Sequence, residues 1–157
     1  MTLADNEPTD QRLVSELPSY IRETRAALND IEGLENTVGQ TDINIQPGTT
    51  TLAIGDGGDL GDYGYETVTI AGVGVSILET ITNGTHGQIK VIIFEDDGVD
   101  LTDDASMADG TFHLEQLPVG EDFGAQEGDI IALMNIGGSP GIDDGYWKEL
   151  YRTISVK

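Results

Sequence analysis

The chain has 157 residues, enough for one main domain with a real core, and it has no cysteine, which excludes disulfides and thiolate chemistry. Seven basic residues stand against 29 acidic ones. The resulting net charge of −22 repels phosphate, so neither nucleic acid nor an anionic membrane is expected as a partner.

Residues 1–16, MTLADNEPTDQRLVSE, read as an arm, polar and acidic with no apolar core of a secretory leader. Leu13, Val14 and Leu17 form a small apolar patch just ahead of Pro18, suited to a peptide that orders on docking. Leu17 to Val38 is the one stretch that reads as a helix. Leu17, Ile21, Thr24, Leu28 and Ile31 recur at steps of four and three, the rhythm of a coiled-coil seam. Pro18 suits the first helical turn, Gly33 interrupts the pattern and Gly39 is a stop signal. A helix of this length is weak alone. Its seam is narrow, which favours packing against the same helix of sister chains over folding back on its own domain. The spacing therefore divides the chain into an arm and helix at 1–39, for attachment and oligomerisation, and a β-rich domain at 40–157.

From residue 40 the period changes from helical to alternating. Ile43 and Ile45, then Leu52 and Ile54, alternate with polar neighbours around a Pro47-Gly48 turn, which predicts two short strands. GDGGDLGDYGY at 55–65 is loop, with Asp56, Asp59 and Asp62 recurring among glycines. Residues 66–82 predict a strand pair with a bend at Gly72 and Gly74, and Asn83-Gly84 opens a turn. QIKVIIF at 88–94 is apolar almost throughout, as a buried strand is. A second acidic loop follows at 95–109. Strands are predicted at 110–117, ending at Pro118, at 129–136 and at 146–156. Loops lie between them at 119–128 and 137–145. The fold class is mainly β: a compact sandwich or barrel-like domain preceded by an N-terminal α-helix.

Signals for chemistry are weak. His86 falls in a turn and His113 in a strand, neither beside a nucleophile elbow, and no His or Cys set has zinc spacing. Gly72-Val73-Gly74 lacks the rest of a dinucleotide fingerprint. The aspartates at 56–62 and 96–104 suggest calcium, which takes several oxygen ligands, but their spacing departs from the ordered calcium-loop pattern and solvated turns explain them. The expectation is a protein without enzymatic activity, cofactor or metal. A carbohydrate-binding module would use those loops with Tyr63, Tyr65 or Trp147, and is the alternative from another functional class. Charge is also unevenly placed: between Ala26 and Trp147 the only basic residue is Lys90.

Pro8 to Asn29, with SELPSYIRETRAALND at its heart, resembles a segment that opens many tailed-bacteriophage virion proteins. Four further pieces resemble a recurrent phage-virion β-module: Thr80-Ile81-Thr82-Asn83-Gly84, Gly87-Gln88-Ile89-Lys90-Val91-Ile92, Asp129-Ile130-Ile131-Ala132-Leu133, and Gly145 to Arg152, GYWKELYR. Asp100 to Gly128 matches only loosely. The resemblance implies a virion structural part, commonly a homotrimer, assembled in the host cytoplasm and docked to the major capsid protein or another virion protein. It supplies no catalytic residues. Tailspikes carry a further large domain after such a module, so the expectation is a capsid-decorating (cement) or head-fibre protein, with a short tail fibre or tail adaptor as the alternative. The residues expected to make the attachment and the oligomer are Leu13, Val14, Leu17, Ile21, Arg22, Arg25, Leu28 and Ile31.

Overall fold

The computed structural model describes residues 38–115, 117, 121–139 and 142–154. The chain divides into two units, Met1–Asn36 and Thr37–Lys157. The arm, and the expected helix apart from its last residue, lie outside the described residues. Val38, together with Gly39, instead opens the first strand of the second unit.

Among its described residues the second unit is built from strands and turns, so the mainly-β expectation holds. In chain order the strands are β1 (Val38–Ile45), β2 (Thr51–Ala53), β3 (Tyr65–Gly72), β4 (Ser76–Leu78), β5 (Thr80–Thr82) and β6 (Ile89–Phe94). They continue with β7 (Val99–Leu101), β8 (Phe112–His113), β9 (Phe123–Gly124), β10 (Ile130–Ile136) and β11 (Tyr146–Thr153).

The strands form a six-stranded sheet in the order β1-β3-β6-β10-β11-β8, a two-stranded sheet of β2 and β5, and a three-stranded sheet β4-β7-β9. The chain visits these sheets in turn. It leaves β1 for β2, returns to the main sheet at β3, passes through β4 and β5, and returns again at β6 before β7. Each return adds a strand parallel to the last, with Val38 beside Tyr65 and Tyr65 beside Ile89. Parallel strands need a long crossover, normally a helix. Here short strands on the other sheets serve instead, and β2 pairs with β5, and β4 with β7, in parallel as well. Residues 66–82, expected as one pair, are therefore three strands on three different sheets. The corner between the first two falls at the two glycines, where Gly74 adopts φ 90°, a conformation that favours a residue without Cβ.

Two antiparallel strands close the coil. β10 lies against β6, and β11 against β10. A bulge opposite Ala132 and Leu133 makes Leu150 an extra residue in β11. In a regular strand Glu149 and Arg152 would point to opposite faces. The bulge returns Arg152 to the inner face, opposite Ile131, where its Nε and Nη2 both donate to the Glu149 carboxylate.

The core lies inside the coil. Inward rows cross the main sheet, one of them Val68, Ile92 and Ile131 and another Ile43, Ile70 and Phe94. Leu52, Ile81, Leu78 and Leu101 come from the smaller sheets. Trp147 is fully buried, and its indole N–H donates to the Ile81 carbonyl at 3.0 Å.

The strand at 88–94 corrects a second expectation. Its apolar run is not buried on both sides. Lys90, Ile92 and Phe94 face the core, whereas Ile89, Val91 and Ile93 are half-buried on the outer face of the main sheet.

Candidate functional site

Leu13, Val14, Leu17, Ile21, Arg22, Arg25, Leu28 and Ile31, the residues expected to attach and oligomerise, all lie outside the described residues. What the structure does locate is the fate of the acids, the bases and the residues that carry the virion resemblance.

The two acidic loops are tied down by their own carboxylates. Asp59 accepts from the Ala53 N–H at 3.0 Å, and Asp62 from the Gln88 side chain at 2.8 Å. Asp96 accepts from the backbone of both Gly72 and Gly98, Asp97 from Glu127 N–H, Asp103 from Leu114 N–H and Asp104 from Ser106 N–H. An aspartate bonded to nearby amides closes a turn. These carboxylates accept from backbone amides or, for Asp62, from a side-chain amide, and no group of three or more potential ligands is assembled among the described residues. Asp59, Asp62, Asp96, Asp97, Asp103 and Asp104 thus tie the loops to the fold. The Asp100 carboxyl is pushed upward, first by burial and then by Asp122, against a hydrogen bond from the Ala125 backbone.

Of the aromatic residues that would stack a sugar, Trp147 is unavailable because it fills the core. Tyr63 is half-buried, with its ring covering Gly39 and Gly61; a Cβ at either glycine would enter that ring. Tyr65 is exposed at the start of β3. The platform proposed for a carbohydrate ligand therefore loses its largest member.

The described lysines and arginine are all committed. Lys90 sits at zero exposure in the row Gly39-Glu66-Lys90-Leu133 across the main sheet. Its Nζ donates to Glu66 Oε2 at 2.5 Å and to the Gly61 carbonyl at 2.8 Å. Glu66, equally buried, also accepts from the Thr41 hydroxyl and from Gly61 N–H. Burial holds the Lys90 ammonium below its usual range, opposed by the hydrogen bond and charge of Glu66 and by Asp62. Arg152 pairs with Glu149 and lies over the Phe123 ring, 4.7 Å from its centroid. Lys148 pairs with Glu115 at the surface at 2.8 Å. Every described lysine and arginine thus faces a carboxylate, and the outward charge is acidic. The sequence flagged Lys90 as isolated, but not that it would be sealed inside; its place in an apolar run was the available signal.

The histidines are also placed. His86 Nδ1 accepts from Gly137 N–H at 3.1 Å, and the His113 ring meets Tyr146 edge-on.

Three of the four pieces of the β-module resemblance, 80–84, 87–92 and 145–152, contribute to one corner, together with Asn135, Gly138 and Asp144 from outside them. Asn83 N–H donates to Asp144 at 2.7 Å, and Gly87 N–H to the Asn135 carbonyl at 2.9 Å. Asn135, fully buried, donates to the Asp144 carbonyl at 2.6 Å and accepts from Gly138 N–H. Gly84, Gly138 and Gly145 crowd around it so closely that a side chain at any of them would meet the Asn135 amide. Trp147 lies against the same corner and reaches Ile81. This arrangement locks the end of the second coil to the β10–β11 hairpin.

Compared with known proteins, the chain matches no family model, no curated protein and no solved structure.

Proposed function

We propose that this protein is a structural component of a tailed-phage virion, a homotrimeric capsid-decorating or head-fibre protein exposed on the particle. The observation that carries the reading is the corner around Asn135 and Trp147. Three of the four pieces that resemble the phage-virion β-module supply residues to it, Ile81, Asn83, Gly84, Gly87, Gly145 and Trp147, so the resemblance includes residues that join coil to hairpin. The acidic exterior supports it, because like charge keeps assembled particles apart. So does the use of the loop carboxylates and the buried charges in holding the fold. The helix seam and arm, Leu13 to Ile31, would make the attachment, with avidity from several copies offsetting weak single contacts.

Particles of the phage that encodes the chain provide the test. Purified virions are analysed by mass spectrometry, and the protein is located with an antibody by electron microscopy. The reading expects the chain in stoichiometric amount on the head. Label on the tail would favour the fibre or adaptor alternative, and particles that contain none of it would end the virion reading.

A further inference from the structure

We infer that Asn83-Gly84 is a covalent modification site gated by the corner that holds it: the bond rearranges to isoaspartate when the corner opens, and the product keeps the corner open. Neither the chemistry nor the packing involved depends on a virion setting.

Asn83 is the only asparagine in the chain followed by glycine. A glycine nitrogen has no Cβ beside it, so it reaches the neighbouring side-chain carbonyl with least hindrance. The Gly84 nitrogen gives up its proton and bonds to Cγ of Asn83, and the side-chain nitrogen leaves as ammonia. The five-membered imide then takes up water at either of its carbonyls. Opening on one side restores the ordinary backbone as aspartate. Opening on the other routes the backbone through Cβ and Cγ, as isoaspartate. Water is the only co-reactant.

The folded corner opposes these steps. Asn83 lies at φ 61°, a left-handed conformation that asparagine tolerates. Its backbone N–H donates to Asp144 at 2.7 Å and its side-chain amide to the Ile54 carbonyl at 3.3 Å, so the reacting residue is held at both ends. Gly84 would have to swing its nitrogen onto Cγ, but it is wedged in place. A Cβ on it would lie 2.9 Å from the Asp144 carbonyl oxygen and 3.0 Å from the Trp147 ring, and would also meet the Asn135 amide. Charge acts in the same direction. The anion that forms on the Gly84 nitrogen lies one residue from the N–H that binds the Asp144 carboxylate, in a chain of net charge −22.

The same packing rejects the product. Isoaspartate puts one more carbon into the main chain between Asn83 Cα and the Gly84 nitrogen. A site that has no room for a Cβ at Gly84 has none for that carbon. The flanking anchors leave no slack, since His86 N–H is bound to the Gly138 carbonyl at 2.8 Å and Gly87 N–H to Asn135 at 2.9 Å. Local opening belongs to every native ensemble. The mark therefore collects on chains whose corner has opened and separates them, one way, from chains whose corner has not.

The full chain is incubated at mildly alkaline pH in buffer and in guanidinium chloride. Tandem mass spectrometry follows the mass gained when the Asn83 amide becomes a carboxyl, and an isoaspartyl carboxyl methyltransferase with labelled methyl donor counts isoaspartate. Conversion in buffer is expected to be at least about tenfold slower than in denaturant, the ratio reporting how seldom the corner opens. After return to buffer, isoaspartate at residue 83 is expected only in the fraction that fails to regain native Trp147 fluorescence. Asp144→Ser, which removes one anchor, is expected to convert several-fold faster than wild type in buffer. Equal rates in buffer and denaturant would show that nothing gates the bond and overturn the inference. Isoaspartate in the natively fluorescent fraction would show that the corner accepts the product, and a folded Asp144→Ser that converts at the wild-type rate would remove the corner as the gate; either overturns it equally. Should Asp144→Ser lose its fold, the two wild-type measurements still decide.

Discussion

Replacing Lys90 by Met removes one half of a buried ion pair and leaves the other half in place. Glu66 keeps the Thr41 hydroxyl and the Gly61 amide as donors, but its carboxylate stays at zero exposure with no cation beside it. Breaking a buried pair in this way costs about 3–5 kcal/mol, because the charge left behind has neither water nor a partner. A domain of this size has roughly 5–15 kcal/mol in total, so Lys90→Met is expected to remove about a fifth of it or more. The double variant Glu66→Gln, Lys90→Met leaves no charge to strand and is expected to recover at least about 2 kcal/mol of the loss, a coupling typical of groups in direct contact. Urea unfolding provides the assay. Trp147 is the single tryptophan and sits in the core, so its fluorescence reports loss of packing directly. A Lys90→Met variant within about 1 kcal/mol of wild type, at unchanged denaturant slope, would refute the argument that the pair is sealed and charged.

Further outcomes follow from the same structure. Gly61→Ala is expected to cost about 1–3 kcal/mol by pushing into the Tyr63 ring, and Tyr63→Ala in the same chain should relieve most of that cost; equal losses in both backgrounds would show that the ring is not the obstacle. Asp100 is held above its ordinary value by burial and Asp122, so the folded state takes up its proton before the unfolded chain does. Its contribution to stability therefore grows as pH falls through the folded value toward 3.8, and Asp100→Asn should lose that slope in unfolding measured across the window. Because the loop aspartates close turns, sodium and calcium chloride at matched ionic strength should raise the melting temperature alike by screening; a saturating shift at micromolar calcium would contradict this. Ile21→Asp and Leu28→Asp are expected to lower the solution mass of the full chain, and wild-type mass in both would remove the helix seam from the assembly.

Local features were legible from the amino acids alone. Ile43, Ile45 and Leu52 fall inward as the strands β1 and β2 require, Ile54 follows β2 in a bridge to Leu60, and the Pro47-Gly48 turn lies between the two strands. Period-two patterning reports which face of a strand is inward, however, and not which strand lies beside it. Nothing in the sequence between Gly72 and Ser76 distinguishes a hairpin from a corner that sends the chain to another sheet. Parallel pairing across successive coils links residues such as Thr67 and Val91, and only the fold defines that separation. The short strands β7 and β9 went unread because two or three residues within acidic, glycine-rich loops carry too little pattern. The carboxylates of those loops looked like ligands for the same reason that they work as staples: an aspartate beside a glycine can accept from the amides that a tight turn leaves unpaired.

Lys90 and the apolar run around it have a common origin in the coil. A strand in the middle of the main sheet has an inner side that must fit a core and an outer side that is free to be polar. In β6 the assignment is inverted at one point: the charged residue is inside and the aliphatic residues Ile89, Val91 and Ile93 are outside. An ion pair inside does not by itself add stability over an apolar pair of the same volume. It does fix register, since a slip of β6 by one residue against β3 would turn Lys90 to the outer face and leave Glu66 buried alone. Parallel coils of similar apolar composition have few other means of distinguishing one register from the next.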